Sequence, residues 1–361
     1  MKPRRLMLPA VKVAVLLAAA LLVAVLPRFM GEYRLAQFTY VAIYFIALLG
    51  LNILTGYNGQ ISLGHGAFIG VGAYTSALLI LGRPGLQDLN IDPPTWLPIG
   101  DGMRAVFTIP IAALVTGIVG FAFGFPALRL PGVSLALATL GIAVSLPSIA
   151  KRFDTVTGGG GGLNVPLPKT PFGLDVPTPH WLYYEAWVTA AVLFLVAWLL
   201  VRGRIGRAWR AIRDGEVAAT SSGVSPATYK TFAFGASSAF ANTTKTLFTI
   251  QVSYVNPDTF PLSLSILLLA SVVVGGLSSL TGVIFGALLI EFLPIYAQQP
   301  PLVSFDFSKE APAVVFGAVL ILCMFVLPAG AAGLLHRLLR PVKSLLVGET
   351  RLLRARGAPP G

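Results

Sequence analysis

Ten blocks of the chain are apolar over roughly the length a helix needs to cross a bilayer, about 20 residues: 8–27, 33–54, 61–82, 105–125, 131–150, 184–201, 226–250, 262–278, 281–297 and 312–328. The polar stretches between them reach only about 30 residues, too short for a soluble catalytic domain with its own core. The pattern predicts an all-α polytopic membrane protein of about ten membrane helices. The third, eighth and ninth blocks are glycine-rich or short, and read as broken or re-entrant spans as readily as simple crossings. The first block follows "MKPRR" as a signal peptide would. It runs directly into "LPRF" with no small-residue cleavage site, so an uncleaved span is expected.

Composition agrees with this pattern. Of 361 residues, 55% are hydrophobic and 11% charged, and the mean hydropathy is +0.80; a soluble domain carries about 25% charged residues. A single cysteine, Cys323, excludes an internal disulfide and a thiolate metal site. His65, His180 and His336 lie far apart without a second ligand at helical spacing, so no metal site is expected.

The net charge of +12 would suggest nucleic acid in a soluble protein. Its distribution gives another meaning. With the N-terminus in the cytoplasm, sixteen of the 26 lysines and arginines fall on that side. They include the cluster Arg202, Arg204, Arg207, Arg210 and Arg213 and the tail from Arg337 to Arg356. The opposite side receives eight: Arg28, Arg34, Arg83, Arg104, Lys151, Arg152, Lys169 and Lys309. The positive-inside rule and an even number of spans therefore agree, placing both termini in the cytoplasm. The expected organisation is one transmembrane domain, 1–340, with a cytoplasmic loop at 202–223, and a basic disordered tail, 341–361. Between the fifth and sixth blocks, "TGGGGG" lacks the Gly-Lys-Ser/Thr that a phosphate loop needs and reads as a flexible turn.

Two segments carry functional signals. In "RGRIGRAWRAIRDGEVAATSSGVSP" (202–226), Ile205, Ala208, Trp209, Ile212 and Val217 form an apolar stripe at helical spacing. Arg207, Arg210, Arg213 and Glu216 cover the other faces, and Gly223 with Pro226 stops the helix. This describes an amphipathic helix, suited either to lipid headgroups or to docking a cytoplasmic partner. Glu216, Ala218, Ala219 and Gly223 resemble, with one inserted residue, the E-A-A-x-x-x-G loop of ABC importer permeases. In that family the loop is a coupling helix seated in a groove of an ATPase subunit.

The second segment, "LNILTGYNGQISLGHGAFIGVGAYTSALL" (51–79), resembles the LivM-type permeases of branched-chain amino acid ABC importers. The resemblance continues in order through "FPALRLPGVSLALATLGIA", "TGGGGGLNVP", "RIGRAWRAIRDGEVAATSSGV" and "SYVNPDTFPLSLSILLLASVVVGGLSSLTGVIFGALL", covering roughly 33–330. It implies a bacterial inner-membrane permease without catalytic residues, paired with a second homologous (LivH-like) permease. It also implies two cytoplasmic ATPase subunits and a periplasmic substrate-binding protein. The chain has no ATP-binding motif, so it binds no cofactor itself, and ATP and magnesium would be used by the partners.

Candidate pathway residues are Asn58, Gln60, His65, Gly66, Gly70, Asn242, Lys245, Gly275 and Gly276. Interrupted, glycine-rich spans in both halves of a transporter point to its pathway. Tight helix packing explains the same glycines equally well. Ser62, Gly66 and Gly70 recur at intervals of four, as do Gly72 and Ser76, and the two halves share Gly-x-x-Ser-Leu at 59–63 and 276–280. Lys245 departs from the family, which carries a Gly- and Ala-rich stretch where this chain reads "SSAFANTTKTLF". A midspan lysine costs about 3 kcal/mol to insert and calls for a cavity, an acidic partner or an anionic substrate. The solute is therefore open between branched-chain amino acids and the urea, amides and small organic acids that similar permeases carry. An ion-coupled carrier is a weaker alternative, because acidic residues lie almost wholly in loops and only Glu291 is partly intramembrane.

Overall fold

The computed structural model describes residues 21–91, 100–127, 130, 132–167, 176–259 and 261–298, with 317–318, 321–322, 325, 330–331 and 333 beyond them. Ten helices organise these residues: α1 (Glu32–Leu51, continued by a π-helical turn, Asn52–Tyr57), α2 (His65–Asp88), α3 (Ala105–Ala127), α4 (Gly132–Arg152) and α5 (Thr178–Arg202). They are followed by α6 (Arg204–Asp214), α7 (Glu216–Ser221), α8 (Pro226–Val252), α9 (Leu262–Gly275) and α10 (Val283–Gln298). Each apolar block between 33 and 297 thus coincides with one long helix. The blocks 8–27 and 312–328 fall mostly outside the described residues, and 341–361 falls outside entirely.

Six of the described helical segments are long and apolar enough to cross a membrane. Helix α8 is not among them, because its second half carries Asn242, Thr243, Thr244, Lys245, Thr246 and Thr249. All six of these residues are buried. The fold solves the problem by placing α8 in the middle, packed on one side by α3 and on others by α1 and α2. Helix α1 is a second centre, sandwiched between α8, α5 and α10. Its most apolar stretch is 83% buried, against 22% for α3 and α4 and 28% for α5. These outer helices leave Phe107, Leu114, Ile118, Leu137, Val144, Val188 and Leu199 exposed, as hydrocarbon contact requires.

Close approach depends on glycines, since lipid supplies no hydrophobic drive between helices. On α3, a Cβ at Gly124 would lie 3.0 Å from the Thr231 backbone, and one at Gly120 would overlap the Ser238 side chain. Gly117 completes the same face against Gly235 and Ala239. From the other side, Gly50 of α1 lies against Phe240, and Gly72 of α2 against Asn242.

The segment expected to be one amphipathic helix is two. Gly215, with extended backbone (φ −179°, ψ 102°), separates α6 from α7 and turns the chain. Ile205, Ala208, Trp209 and Ile212 keep the predicted stripe, but Val217 lies beyond the break and is 82% exposed. The third block also starts later than expected, at His65, because residues 58–64 are irregular.

At the far end of the bundle, the Gly-rich segment forms a defined turn, where a flexible one was expected. Gly158, Gly159 and Gly162 adopt positive φ, and Leu163–Asn164 pairs antiparallel with Tyr254–Val255. The Tyr254 hydroxyl donates to the Gly161 carbonyl (2.7 Å), and Lys151 pairs with Asp258 (2.8 Å).

Gly120→Leu is expected to destabilise the protein by about 1–3 kcal/mol or to prevent folding, because its side chain would enter α8. Gly141→Ala, on an α4 face with nothing within 4 Å of the added carbon, should leave the thermal unfolding midpoint in detergent unchanged.

Candidate functional site

Two spans are interrupted at the same end of the bundle, and their interruptions touch. The last turn of α1 widens into a π-helix, a feature concentrated at functional sites, and the chain then runs irregularly to α2. Helices α9 and α10 are separated by the turn 276–282. Asn52, in the π-turn, clamps this turn through both ends of its amide. Its Oδ1 accepts the Ser278 N–H (3.0 Å), and its Nδ2 donates to the Ser279 carbonyl (3.1 Å). Ser278 sits in the left-handed region at φ 62°, an uncommon state for a non-glycine residue that needs surrounding structure to hold it. Its hydroxyl donates to the Gly56 carbonyl (2.6 Å). Gly56 must be glycine, because a Cβ there would overlap the Asn52 amide and lie 2.7 Å from the Ser278 nitrogen. Non-helical backbone at membrane depth is tolerated only when buried in protein, and this clamp provides the burial.

Helices α6 and α7 sit against this clamp. Trp209 is fully buried, donates its indole N–H to the Tyr229 carbonyl (2.9 Å) and stacks on Phe232. Ala219 is buried beside it on α7, and Glu216 binds Lys230 of α8 through both carboxylate oxygens (2.8 and 2.7 Å). Arg213 reaches inward. Its Nη1 donates to the Gly56 carbonyl (2.9 Å) and to the Ser278 hydroxyl, while Nε and Nη2 bind Asp214 (3.1 and 3.0 Å). Its stem lies on Gly59 (φ +76°), where a Cβ would come 2.6 Å from Arg213 Cγ. Arg213 and Glu216 make these contacts while remaining exposed at the surface; Arg207, Ala218 and Gly223 are exposed as well, and Arg210 is half-buried.

A cavity of about 290 Å³ opens beside Arg213, lined by Asn58, Gly59, Gln60, Leu135, Glu216 and Lys230 among others. Asn58 is 2% exposed and donates to Gln60 Oε1 (2.7 Å), yet its own Oδ1 has no hydrogen-bond partner among the described residues. The structure thus joins Asn58 and Gln60 to Arg213 and Glu216 around one cavity. Gly276 (φ 112°) caps α9 next to the clamp, and Gly275 packs on the Gly282 carbonyl.

The remaining candidates lie deeper in the bundle. His65 is 1% exposed, and its Nε2 has no hydrogen-bond partner among the described residues. The Gly66 N–H donates to Ser265 Oγ (2.9 Å), so this glycine serves the α2–α9 contact. Gly70 is buried on α2. Asn242 accepts from Thr246, whose hydroxyl meets that of Ser76. The Lys245 ammonium stands 3.5 Å from the centre of the Phe248 ring, in a cavity of about 80 Å³ lined mainly by α1, α8 and α9. A cation over an aromatic face gains attraction that grows when water is excluded, so part of the expected compensation comes from inside the chain.

Sequence reasoning passed over Asn52, Ser278 and the α3 glycines. Their signals were a lone asparagine in a purely apolar stretch and glycines at 117, 120 and 124. It also placed the acids almost wholly in loops. Glu185, the second residue of the expected block 184–201, is instead buried within α5. Among the described residues no group of three histidines, cysteines or acids could hold a metal.

Residues 33–324 match the family described as the branched-chain amino acid transport system permease component. The chain is 33% identical to the high-affinity branched-chain amino acid transport system permease protein LivM of Salmonella typhimurium, over 94% of this chain and 79% of that protein. It is 34% identical to LivM of Escherichia coli, over 89% of this chain and 75% of that one. The autoinducer 2 import system permease protein LsrC of Yersinia pestis is 28% identical over 54% of this chain and 55% of its own length. No solved structure matches.

Asn52→Leu should lower stability by about 1–3 kcal/mol, the cost of leaving the Ser278 N–H and Ser279 carbonyl without partners. Thermal unfolding of the purified protein in detergent measures it, and an unchanged midpoint would remove the clamp from this account.

Proposed function

The chain belongs to the permease family of branched-chain amino acid transport systems, and from that premise we propose that it forms one of two membrane subunits of an ATP-driven importer in a bacterial inner membrane. A periplasmic binding protein would deliver the solute, a second homologous permease would complete the pathway, and two cytoplasmic ATPase subunits would drive it. The topology proposed is ten spans with both termini in the cytoplasm. The observation that carries this reading is the α6–α7 unit. It projects from one end of the bundle with Arg204, Arg207, Val217 and Ala218 exposed, while Trp209 and the Glu216–Lys230 pair bind it to α8. A docking element needs an exposed face for its partner and a rigid attachment to what it moves. The charge distribution along the sequence supports assigning this end to the cytoplasm.

Branched-chain amino acids are the proposed solutes, on the strength of the two LivM relatives. A second reading, a different small polar or anionic solute, is favoured by Lys245, and the relative that imports autoinducer 2 supports such diversity within the family. An ion-coupled carrier would need acids aimed at a pathway. Glu185 and Glu291 are helical, but neither lies in the cavity beside Arg213 or the one beside Lys245.

Two measurements test these readings. The ATPase subunits should co-purify with the wild-type chain and be lost with Glu216→Lys. Lys230→Met, which breaks the same ion pair without reversing the acid, should retain them. Calorimetry on the cognate binding protein will identify the solute. Lys245→Met and Lys245→Ala should then reduce its uptake by about tenfold, the scale of one lost charged interaction. Wild-type uptake in both variants would take Lys245 out of the pathway.

A further inference from the structure

The importer reading requires motion of α6–α7 to reach the pathway, and one residue makes the connection. We propose that Arg213 is a two-position latch that transmits movement of the coupling segment to the junction of the two broken spans. This rests on the proposed function, since it presumes that α6–α7 docks an ATPase.

In the observed position the Arg213 guanidinium bridges three segments. Its own helix belongs to the coupling unit, the Gly56 carbonyl belongs to the π-turn of α1, and the Ser278 hydroxyl belongs to the α9–α10 turn. Ser278 holds its left-handed backbone through these contacts and the Asn52 clamp, so withdrawing Arg213 removes one of the few supports of a conformation that a serine rarely adopts. The second position is built beside the first. Arg213 borders the cavity of about 290 Å³ that Asn58 also lines. Asn58 Oδ1 is buried and unpartnered among the described residues, an acceptor that a displaced guanidinium would satisfy. Gly59 lies under the Arg213 stem and leaves no side chain to block the swing. A buried acceptor without a donor is costly, so the two positions trade hydrogen bonds for hydrogen bonds, as a bistable element requires. Glu216→Ala or a bulkier residue in place of the buried Ala219 would loosen docking, whereas a change at 213, 59 or 58 alters the latch itself.

The test uses the assembled complex in liposomes, with Arg213→Ala, Arg213→Lys, Gly59→Ala and Asn58→Leu. Solute imported per ATP hydrolysed is expected to fall about fivefold or more in Arg213→Ala and Gly59→Ala, with partial rescue in Arg213→Lys. In a Cys323→Ser background, spin labels at Ile61 and Leu277, exposed positions on the two junction loops, give a second readout. Their separation should change on trapping the ATP-bound state in the wild-type sequence and not in Arg213→Ala. Asn58→Leu should hold the labels near the resting separation. A wild-type ratio in Arg213→Ala, or import and hydrolysis falling together with the amount of complex, overturns the latch. If the wild-type complex itself shows no ATP-dependent import, the importer reading fails, a result distinct from failure of the latch.

Discussion

A helix bearing a lysine, an asparagine and a run of threonines cannot face hydrocarbon, and the arrangement of this protein follows from that constraint. Each hydroxyl or charge of α8 needs a partner inside the protein. Threonines 231, 243 and 244 return their hydroxyls to carbonyls one turn earlier, Thr246 meets Ser76, and Lys245 lies over Phe248. These solutions work only if neighbouring backbones come close enough to exclude lipid. Glycines of α1, α2 and α3 permit that approach on three sides, leaving α3, α4 and α5 with most of their apolar surface outward.

The same economy explains the junction of the two broken spans. Two spans stop short, and their freed backbone groups would be stranded at membrane depth. Asn52, Gly56 and Ser278 satisfy one another across more than 200 residues of sequence. Arg213 then ties the satisfied junction to α6. The contacts that make the broken spans tolerable are thus also the ones that attach α6 to the bundle.

Much of this was legible in the chain. Blocks of about 20 apolar residues identify membrane helices because bilayer thickness sets their length, and eight blocks matched helices. The stripe of Ile205, Ala208, Trp209 and Ile212 matched the packed face of α6, though Val217 did not join it, and the shared glycine–serine pieces marked the two interruptions. Gly215 was misjudged because extended backbone at one residue leaves no periodic trace. For Gly66 the sequence left packing and a pathway role level; the structure sets Gly66 against Ser265 of α9 and Gly72 against Asn242 of α8, partners that spacing alone could not name.

By itself the sequence determined the class of the protein, the order of its described long helices and the family it resembles, because these depend on local hydrophobicity and short motifs. The tertiary structure decided which helix is central, that the two interruptions meet, and that Arg213 turns inward while Arg207 faces out. Those outcomes rest on hydrogen bonds between residues far apart in the chain, such as Asn52 with Ser278 and Arg213 with Gly56. A linear pattern records that a polar group is present, and only the folded chain supplies the partner that the low dielectric demands.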